Sequence, residues 1–295
     1  MNHHLTTSNA FGPWTDCAKM QGSGNDFAIL DNRILQLVPA EMPKWARAVC
    51  RRAFGVGADG LIFLDAAPEN VTADYIWHFY NADGSRAEMC GNGARCAARL
   101  AYELGLAGRR HVLGTDVGPI QAEVFPDQDL VKVQLTPHQD LRLGLALPLT
   151  EDSGETTWEA HFVNTGVPHL VIFTPGVDAL DVFDLGRRLR NHPRFAPAGV
   201  NVNFVQVVDR QNLRLRTYER GVEEETLACG TGAAAASLVA QALNLTETSL
   251  RIRTSGREEL GITIDRDAVF LTGQAILVFT ASLNLRSLGL SQTWS

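Results

Sequence analysis

Two cysteines open the same short motif in the two halves of the sequence. Residues 90–106 read CGNGARCAARLAYELGL, and residues 229–245 read CGTGAAAASLVAQALNL. A glycine-rich turn that leads into a helix leaves backbone N–H groups without acceptors at the positive end of the helix dipole. A thiol at that position should have a lowered pKa and could act as a base. Cys90 and Cys229 are therefore candidates for acid–base chemistry, one as a thiolate and the other as a thiol.

The duplication extends beyond the two cysteines. Residues 23–30, SGNDFAIL, have a counterpart in residues 165–172, TGVPHLVI, and GVG at 55–57 recurs as GVN at 199–201. The matches occur in the same order and at a nearly constant offset of about half the chain. The sequence therefore predicts two copies of one unit of strands and helices.

The duplication suggests a specific reaction. If two such units face each other, one substrate carboxylate could accept N–H bonds from both helix N-termini, with a cysteine on each side of its α-carbon. One cysteine could then remove a proton from one face while the other returns a proton to the opposite face. The carbanion-like intermediate would need preorganised dipoles and little water. We therefore expect an amino-acid racemase or epimerase.

Other polar residues stand at the ends of predicted strands. Glu219 and Arg220 place a carboxylate beside a guanidinium, and an arginine can hold a carboxylate through two hydrogen bonds. Taken alone, such a pair is more often a surface ion pair. His169 could tune the pKa of a thiol or cap a turn. Three asparagines also lie at the ends of predicted strands, where this residue is typical of turns: Asn25, Asn81 and Asn201.

Composition narrows the function classes. The chain has 295 residues, of which 45% are hydrophobic, which is enough for one large or two medium cores. A net charge of −7 argues against nucleic acid or an anionic membrane as a partner. No stretch reaches the ~20 apolar residues of a transmembrane helix, and MNHHLTTSNAFGPW lacks the segments of a secretory signal. We therefore expect a cytoplasmic protein whose partner is a small molecule.

The five cysteines show neither a disulfide framework nor the paired spacing of a zinc site. Cys17, Cys50 and Cys96 have no counterpart in the repeat, so we interpret them as buried apolar residues.

Hydrophobic patterning predicts an α/β (α+β) fold in which short strands alternate with four helices. The predicted helices are Met42–Ala53, Gly93–Leu104, Val182–Asn191 and Gly232–Leu243. The stretch Gln139–Trp158 has little periodicity and contains a polar loop, so we place a domain boundary there. The predicted divisions are an N-terminal extension (1–14), two halves (15–139 and 140–275), and a C-terminal strand and tail (276–295) that can pack back on the first half.

Six stretches of the sequence resemble diaminopimelate epimerase, in order from about Lys19 to Phe279. They are KMQGSGNDFAILD, FGVGADGLIFL, FYNADGSRAEMCGNGARCAA, VNTGVPHLVIF, GVNVNFVQV and YERGVEEETLACGTGAAAAS. The two cysteine motifs, with YNADGS and YERG before them, carry most of the specificity. The resemblance implies two pseudo-symmetric domains, each a mixed or antiparallel sheet or barrel wrapped round a central helix, with the active site in the cleft between them. It also implies a homodimer.

The resemblance further implies the activity and the site residues. Cys90 and Cys229 match the acid–base pair that interconverts LL- and meso-2,6-diaminopimelate without pyridoxal phosphate, a metal or another cofactor. His169 and Glu219 match positions that adjust the protonation of the thiols. The residues that match substrate-binding positions are Asn25, Asn81, Gly91, Asn92, Asn201, Glu219, Arg220, Gly230 and Thr231. Of these, Gly91, Asn92, Gly230 and Thr231 would hold the reacting carboxylate, and Arg220 the distal one.

Two positions depart from the family pattern. Val167 stands where the family commonly has an asparagine before Pro-His, and this change could reshape recognition of the distal end of the substrate. Gly60 stands where some members have a glutamine that contacts the substrate.

Three other functions compete with the epimerisation of diaminopimelate. A proline or hydroxyproline racemase of the same fold also uses two cysteines, but its substrate has no need of Arg220. A phenazine-type isomerase lacks both cysteines. A non-catalytic amino-acid-binding or thiol-redox protein would need only one cysteine or neither.

Overall fold

The computed structural model describes residues 13–87, 89–151 and 154–290. The chain divides into two compact units. The N-terminal unit contains described residues up to Val131 together with those from Gln274 onward, and the C-terminal unit comprises Lys132–Gly273. Most of the predicted N-terminal extension lies outside the described residues, as do residues 291–295 of the predicted tail. Within the described part of the chain, no helix has the length and apolar character needed to cross a membrane.

The described part of the N-terminal unit contains seven strands and three α-helices. Its elements are β1 (Trp14–Gly22), β2 (Asn25–Asp31), α1 (Asn32–Leu35), α2 (Met42–Val49), β3 (Gly60–Ala66), β4 (Tyr75–Asn81), α3 (Gly91–Glu103), β5 (Arg110–Thr115), β6 (Gly118–Phe125) and β17 (Ile276–Asn284). The strands pair in the order β17, β1, β2, β3, β4, β5 and β6. The β2–β3 and β4–β5 pairs are parallel and the others are antiparallel.

The C-terminal unit contains the remaining ten strands and two helices. Its elements are β7 (Leu130–Gln134), β8 (Gln139–Glu151), β9 (Gly154–Asn164), β10 (Pro168–Phe173), α4 (Val182–Arg190), β11 (Asn201–Asp209), β12 (Asn212–Glu219), β13 (Glu224–Thr226), α5 (Gly230–Ala242), β14 (Ser249–Arg253), β15 (Glu259–Asp265) and β16 (Ala268–Gln274). The strands β8, β9, β10, β11, β12, β14 and β15 pair in that order.

Both units use the same succession of strand pairings. In the C-terminal unit the β10–β11 and β12–β14 pairs are parallel, and the other pairs in this series are antiparallel. The two parallel pairs therefore occupy the same places in the series as β2–β3 and β4–β5 of the N-terminal unit. This agreement confirms the predicted mixed αβ fold of two pseudo-symmetric copies.

One helix is central to each unit because it is buried on nearly all sides. In α5, every residue from Gly232 to Ala240 is buried, and α3 is buried along most of its length. Such a helix must be surrounded by other elements, and small alanine and glycine side chains allow strands to approach it closely. The prediction of a sheet wrapped round a central helix is therefore confirmed for each unit.

The strands beside these helices are buried on both faces. On one face of β2, the Phe27 ring packs against Gly93 of α3. On the other face, Ala28 and Leu30 belong to a core that includes Trp45 of α2. Strands covered on both sides are continuously apolar rather than alternating. For this reason the sequence shows these strands as short apolar runs.

The central helices begin two residues earlier than the sequence predicts. Their first residues are Gly91 and Gly230, rather than Gly93 and Gly232. The residue before each helix is the cysteine itself, with an extended backbone (φ −145°, ψ 118° at Cys90; φ −127°, ψ 108° at Cys229). The glycines after each cysteine belong to the first helical turn, so both cysteines occupy the N-cap position.

The stretch predicted to contain a loop forms a long hairpin instead. Residues 139–164 contribute β8 and β9, which pair in an antiparallel arrangement with two irregularities in register. Such irregularities locally interrupt the alternation of side chains. They account for the weak periodicity of residues 139–158 in the sequence.

Candidate active site

Cys90 and Cys229 have equivalent positions in the two units. The carbonyl of Cys90 accepts the N–H of Ala94 at 2.8 Å, and that of Cys229 accepts the N–H of Ala233 at 2.9 Å. These are the first hydrogen bonds of α3 and α5. Each cysteine therefore lies at the positive end of a helix dipole, where an anion is stabilised.

The thiol of Cys90 contacts an asparagine of β2. It is half-buried, and its Sγ donates to Oδ1 of Asn25 at 3.6 Å. The Nδ2 of Asn25 donates to Oδ2 of Asp59 at 2.5 Å. This contact brings together two residues predicted for the site, Asn25 and Cys90, and adds Asp59, which the sequence analysis did not identify.

The sulphur of Cys229 is more deeply buried and has different neighbours. Its residue is 7% exposed, and Sγ accepts the N–H of Gly232 at 3.4 Å. The hydroxyl of Thr231 lies 3.5 Å from the same sulphur. The backbone of Thr231 is held in turn by the hydroxyl of Thr165, which donates to its carbonyl at 3.0 Å. Thr231, predicted as a substrate-binding residue, therefore lies beside the cysteine.

The backbone donors predicted for the reacting carboxylate lie in the first turns of the central helices. Gly91 and Asn92 are the first two residues of α3, and Gly230 and Thr231 are the first two of α5. The N–H groups of a first helical turn have no acceptor within the helix. These four positions can therefore offer hydrogen bonds to an anionic ligand.

His169 is fully buried and bonded to an asparagine that the sequence analysis missed. The Nδ2 of Asn203 donates to Nδ1 of His169 at 3.0 Å and to the carbonyl of Leu170 at 2.9 Å. Burial, together with the nearby positive charge of Arg220, lowers the pKa of His169 to about 3. The imidazole is therefore neutral at physiological pH.

Asn203 also approaches the Cys229 turn. A Cβ atom built on Gly232 would lie 2.4 Å from Oδ1 of Asn203 and 3.3 Å from the sulphur of Cys229. Only glycine fits at this point. Asn203 therefore links His169 to the start of α5, although the second asparagine of GVNVNFVQV gives no signal of this role in the sequence.

Glu219, Arg220 and Asn201 lie together at the ends of β11 and β12. The side-chain oxygen of Asn201 accepts the backbone N–H of Arg220 at 2.8 Å, and Nη1 of Arg220 donates to the carbonyl of Ala198 at 3.3 Å. Burial raises the pKa of the Glu219 carboxyl. Among the described residues, no ion pair joins Glu219 to Arg220, so the interpretation as a surface ion pair does not apply.

Asn81 is exposed at the end of β4. Its Nδ2 donates to the hydroxyl of Ser85 at 3.0 Å, and its backbone N–H donates to the carbonyl of the same residue at 2.9 Å. These bonds hold Asn81 within its own turn. Its predicted role in substrate binding stays a prediction.

The three other cysteines are buried thiols with raised pKa values. Burial raises the pKa of Cys17 to about 11 and the pKa of Cys50 and Cys96 to about 12. Thiols of this kind are protonated at neutral pH and are poor bases. Their burial agrees with their interpretation as apolar core residues.

The two departures from the family pattern have different structural settings. A Cβ atom on Gly60 would lie 2.7 Å from the Phe79 ring and 2.9 Å from the carbonyl of Tyr80, so a glutamine does not fit there. Val167 is half-buried, and its carbonyl accepts the N–H of Thr165 at 3.2 Å. The described residues include no group of three or more His, Cys, Asp or Glu side chains that could hold a metal ion.

The family model described as diaminopimelate epimerase matches residues 17–140 and 161–278 of the chain. A protein named diaminopimelate epimerase from Hydrogenobaculum sp. (strain Y04AAS1) is 46% identical over 275 residues, which cover 90% of this chain and 97% of the relative. A protein of the same name from Aquifex aeolicus is 44% identical, with coverage of 90% and 96%.

Solved structures of lower sequence identity share the fold. A hydroxyproline epimerase from Agrobacterium vitis superposes with a TM-score of 0.65 at 16% identity, covering 92% of both chains. A PhzF-family phenazine biosynthesis protein from Bacillus anthracis gives a TM-score of 0.66 at 15% identity, covering 92% of this chain and 99% of that one. These similarities concern the fold alone.

Proposed function

The chain belongs to the diaminopimelate epimerase family, and we propose that it interconverts LL- and meso-2,6-diaminopimelate with Cys90 and Cys229 as its two acid–base groups. It is an isomerase, and its substrate is a small amino acid. The observation that carries the proposal is the equivalence of the two cysteines, each at the N-cap of the central helix of its unit.

The reaction needs one base and one acid. A thiolate removes the α-proton, and the electron pair of the broken C–H bond moves towards the α-carboxylate to give a carbanion-like intermediate. The thiol of the other cysteine then gives its proton to the opposite face of the α-carbon, which inverts the centre. The two sulphurs exchange protonation states in each turnover, and the reverse reaction uses them in the opposite roles.

The helix N-termini supply the stabilisation that this intermediate needs. Backbone N–H groups at Gly91, Asn92, Gly230 and Thr231 would bind the reacting carboxylate, where negative charge develops. Because these donors are fixed by the helices, they need no reorganisation during the reaction.

The distal carboxylate of the substrate would bind to Arg220. The side chain of Asn201 accepts the backbone N–H of Arg220, and the carbonyl of Ala198 accepts a hydrogen bond from one side of the Arg220 guanidinium. A guanidinium held in this way can form two parallel hydrogen bonds with a carboxylate. Asn25 and Asn81 would complete the recognition of the substrate, while His169 and Glu219 would adjust the thiols.

The alternatives have less support. A proline or hydroxyproline substrate offers no distal carboxylate for Arg220, and the similarity to the hydroxyproline epimerase is limited to the fold. A binding protein would not need two equivalent cysteines. The homodimeric state and the cytoplasmic location stay predictions.

The test is proton exchange at the α-carbon. LL-diaminopimelate is incubated with the protein in heavy water without added cofactor and followed by proton NMR, with trans-4-hydroxy-L-proline as the comparison substrate. We expect the α-proton signal of diaminopimelate to decline as deuterated meso product forms. Exchange of the hydroxyproline α-proton instead would assign the protein to the proline-type racemases, and exchange of neither would contradict an epimerase.

A further inference from the structure

The amide of Asn25 has a fixed orientation between two groups. Its nitrogen lies 2.5 Å from Oδ2 of Asp59, which also accepts the backbone N–H of Asp26 at 3.1 Å. A carboxylate can only accept hydrogen bonds, so the group of Asn25 that faces Asp59 must be the NH₂. The amide oxygen of Asn25 is therefore the atom that faces Cys90.

That orientation favours the protonated form of Cys90. An amide oxygen has no hydrogen to donate, so the contact of 3.6 Å is a hydrogen bond only when the sulphur carries a proton. A thiolate at this position would face a lone pair instead. Hydrogen bonding to the neutral form of a group disfavours its charged form.

Whereas the sulphur of Cys90 donates a hydrogen bond, the sulphur of Cys229 accepts one. The backbone N–H of Gly232 donates to its sulphur at 3.4 Å, and a backbone N–H cannot accept. The hydroxyl of Thr231, at 3.5 Å, can donate as well. Donors that point at a sulphur favour its thiolate form.

The difference between the two sulphurs arises in part from one position at which the two halves of the repeat differ. In the repeat, Asn25 of SGNDF corresponds to Val167 of TGVPH. A valine side chain has no oxygen to accept a thiol proton. Cys229 caps its own helix through the N–H of Gly232, whereas Cys90 makes no side-chain capping bond to α3.

From these contacts we infer that the substrate-free protein holds Cys90 as the thiol and Cys229 as the thiolate, and that Asp59 is a positioning residue that maintains this order through Asn25. This inference rests on the proposed function, because it states which cysteine is the acid and which is the base when the substrate binds. Its evidence comes from the hydrogen bonds alone.

Charged groups around Asn25 form a compact cluster. Lys19 is 7% exposed and pairs with Oδ2 of Asp26 at 2.6 Å, and Oδ1 of Asp26 accepts the backbone N–H of Asp59 at 2.9 Å. Two carboxylates and one ammonium group therefore lie on the side of Asn25 that faces away from Cys90. The thiol of Cys96, in the helix that follows Cys90, is neutral at physiological pH because burial raises its pKa.

The experiment measures the rate of alkylation of each cysteine by iodoacetamide as a function of pH, without substrate, by mass spectrometry of peptides. The midpoint of each profile reports thiolate formation independently of how accessible the sulphur is. We expect a lower midpoint for Cys229 than for Cys90. Burial raises the pKa of Cys17, Cys50 and Cys96 to about 11 to 12, so their lack of modification near neutral pH shows that a variant is folded.

Asp59→Asn tests the positioning role. Without the carboxylate, the Asn25 amide can turn its NH₂ towards Cys90, so the midpoint of Cys90 should fall by about one pH unit while that of Cys229 is unchanged. Asp26→Asn is the matched control, since it removes a charge from the same cluster but leaves the Asn25–Asp59 bond in place. It should lower the midpoint of Cys90 less than Asp59→Asn does.

Asn25→Ala provides a second test if Asp59→Asn does not fold. It removes the acceptor of the thiol proton and should also lower the midpoint of Cys90. The inference is overturned if Cys90 has the lower midpoint in the unmodified protein, or if neither variant lowers it. If the NMR assay shows proton exchange but Cys90 has the lower midpoint, only this inference is contradicted. If the midpoints are as expected but no exchange occurs, only the proposed function is contradicted.

Discussion

Asn203 donates a side-chain N–H to Nδ1 of His169 over 3.0 Å, and this contact determines which imidazole nitrogen carries hydrogen. The orientation of Asn203 is fixed because the same NH₂ also donates to the carbonyl of Leu170. Nδ1 of His169 is therefore the acceptor, and the hydrogen of the neutral ring lies on Nε2. Among the described residues, Nε2 has no hydrogen-bond partner. It is a buried donor that a ligand or a neighbouring acceptor could use.

His169→Asn should change how stability depends on pH. In the folded protein the pKa of His169 is about 3, below its ordinary value of 6.5, so the unfolded chain binds more protons between these values. The wild-type protein is therefore fully stabilised above pH 6.5 and loses stability as the pH falls from 6.5 towards 3. Asparagine keeps an acceptor for Asn203 but does not titrate.

Urea denaturation at several pH values measures this difference. We expect the free energy of unfolding of the wild type to decline relative to that of His169→Asn between pH 7 and pH 4. Parallel curves for the two proteins over this range would show that His169 is not held neutral in the folded state. Comparison of the two proteins cancels the contributions of carboxylates that titrate in the same range.

Cys90→Ala and Cys229→Ala should each abolish epimerisation, with a loss of at least about 10²- to 10⁴-fold, because each removes one of two required proton-transfer groups. Cys96→Ala is the matched control. It removes a thiol within α3 that is fully buried, so most of the activity should remain. Activity is measured by the formation of meso product, and folding by circular dichroism. Epimerisation retained by either of the first two variants would contradict the two-cysteine mechanism.

Gly232→Ala and Gly93→Ala occupy equivalent positions after the two cysteines but should behave differently. At Gly232 an added Cβ would be 2.4 Å from Oδ1 of Asn203, so Asn203 or Cys229 must move. At Gly93 the nearest atoms, in Ile62 and Phe27, are 3.4 Å away. We expect a loss of about 10²-fold in kcat for Gly232→Ala, since small displacements of reacting groups are costly.

Gly93→Ala should keep its kcat within about threefold and its stability within about 1 kcal/mol, because alanine favours a helix over glycine by about that amount. Steady-state kinetics and thermal unfolding of both variants provide the comparison. Equal losses of kcat in the two variants would mean that the Asn203 contact is unimportant for catalysis.

Arg220→Lys should raise KM for diaminopimelate by about ten- to a hundredfold with a smaller effect on kcat. Lysine keeps the charge but cannot form two parallel bonds with the distal carboxylate, and a hydrogen bond to a charged group contributes about 1.5–3 kcal/mol. Arg210→Lys, at an exposed ion pair with Glu247, is the matched control and should leave KM unchanged. A normal KM for Arg220→Lys would exclude Arg220 from binding the distal carboxylate.

Much of the architecture could be predicted from local sequence patterns. Strands β2 and β3 are recognisable in the sequence as the continuous apolar runs Phe27–Leu30 and Leu61–Leu64, because these residues are buried on both faces. The hairpin of residues 139–164 is not predicted, since its alternation is weak and its pairing is irregular. The sequence predicts the starts of the central helices two residues late, because Gly91 and Gly230 are typical of a turn rather than of a first helical turn.

The sequence by itself determined the duplication, the two cysteines at its equivalent positions, and the family, because these depend on residue types and spacing along the chain. Tertiary structure alone decided which atoms meet. Asp59 reaches Asn25, and Asn203 reaches His169, only because parallel strand pairing brings residues more than thirty positions apart into contact. The difference between the two sulphurs depends on the direction of single hydrogen bonds. The donor to Cys229 comes from within its own motif, whereas the acceptor for Cys90 comes from Asn25, 65 residues away, and only the fold brings it there.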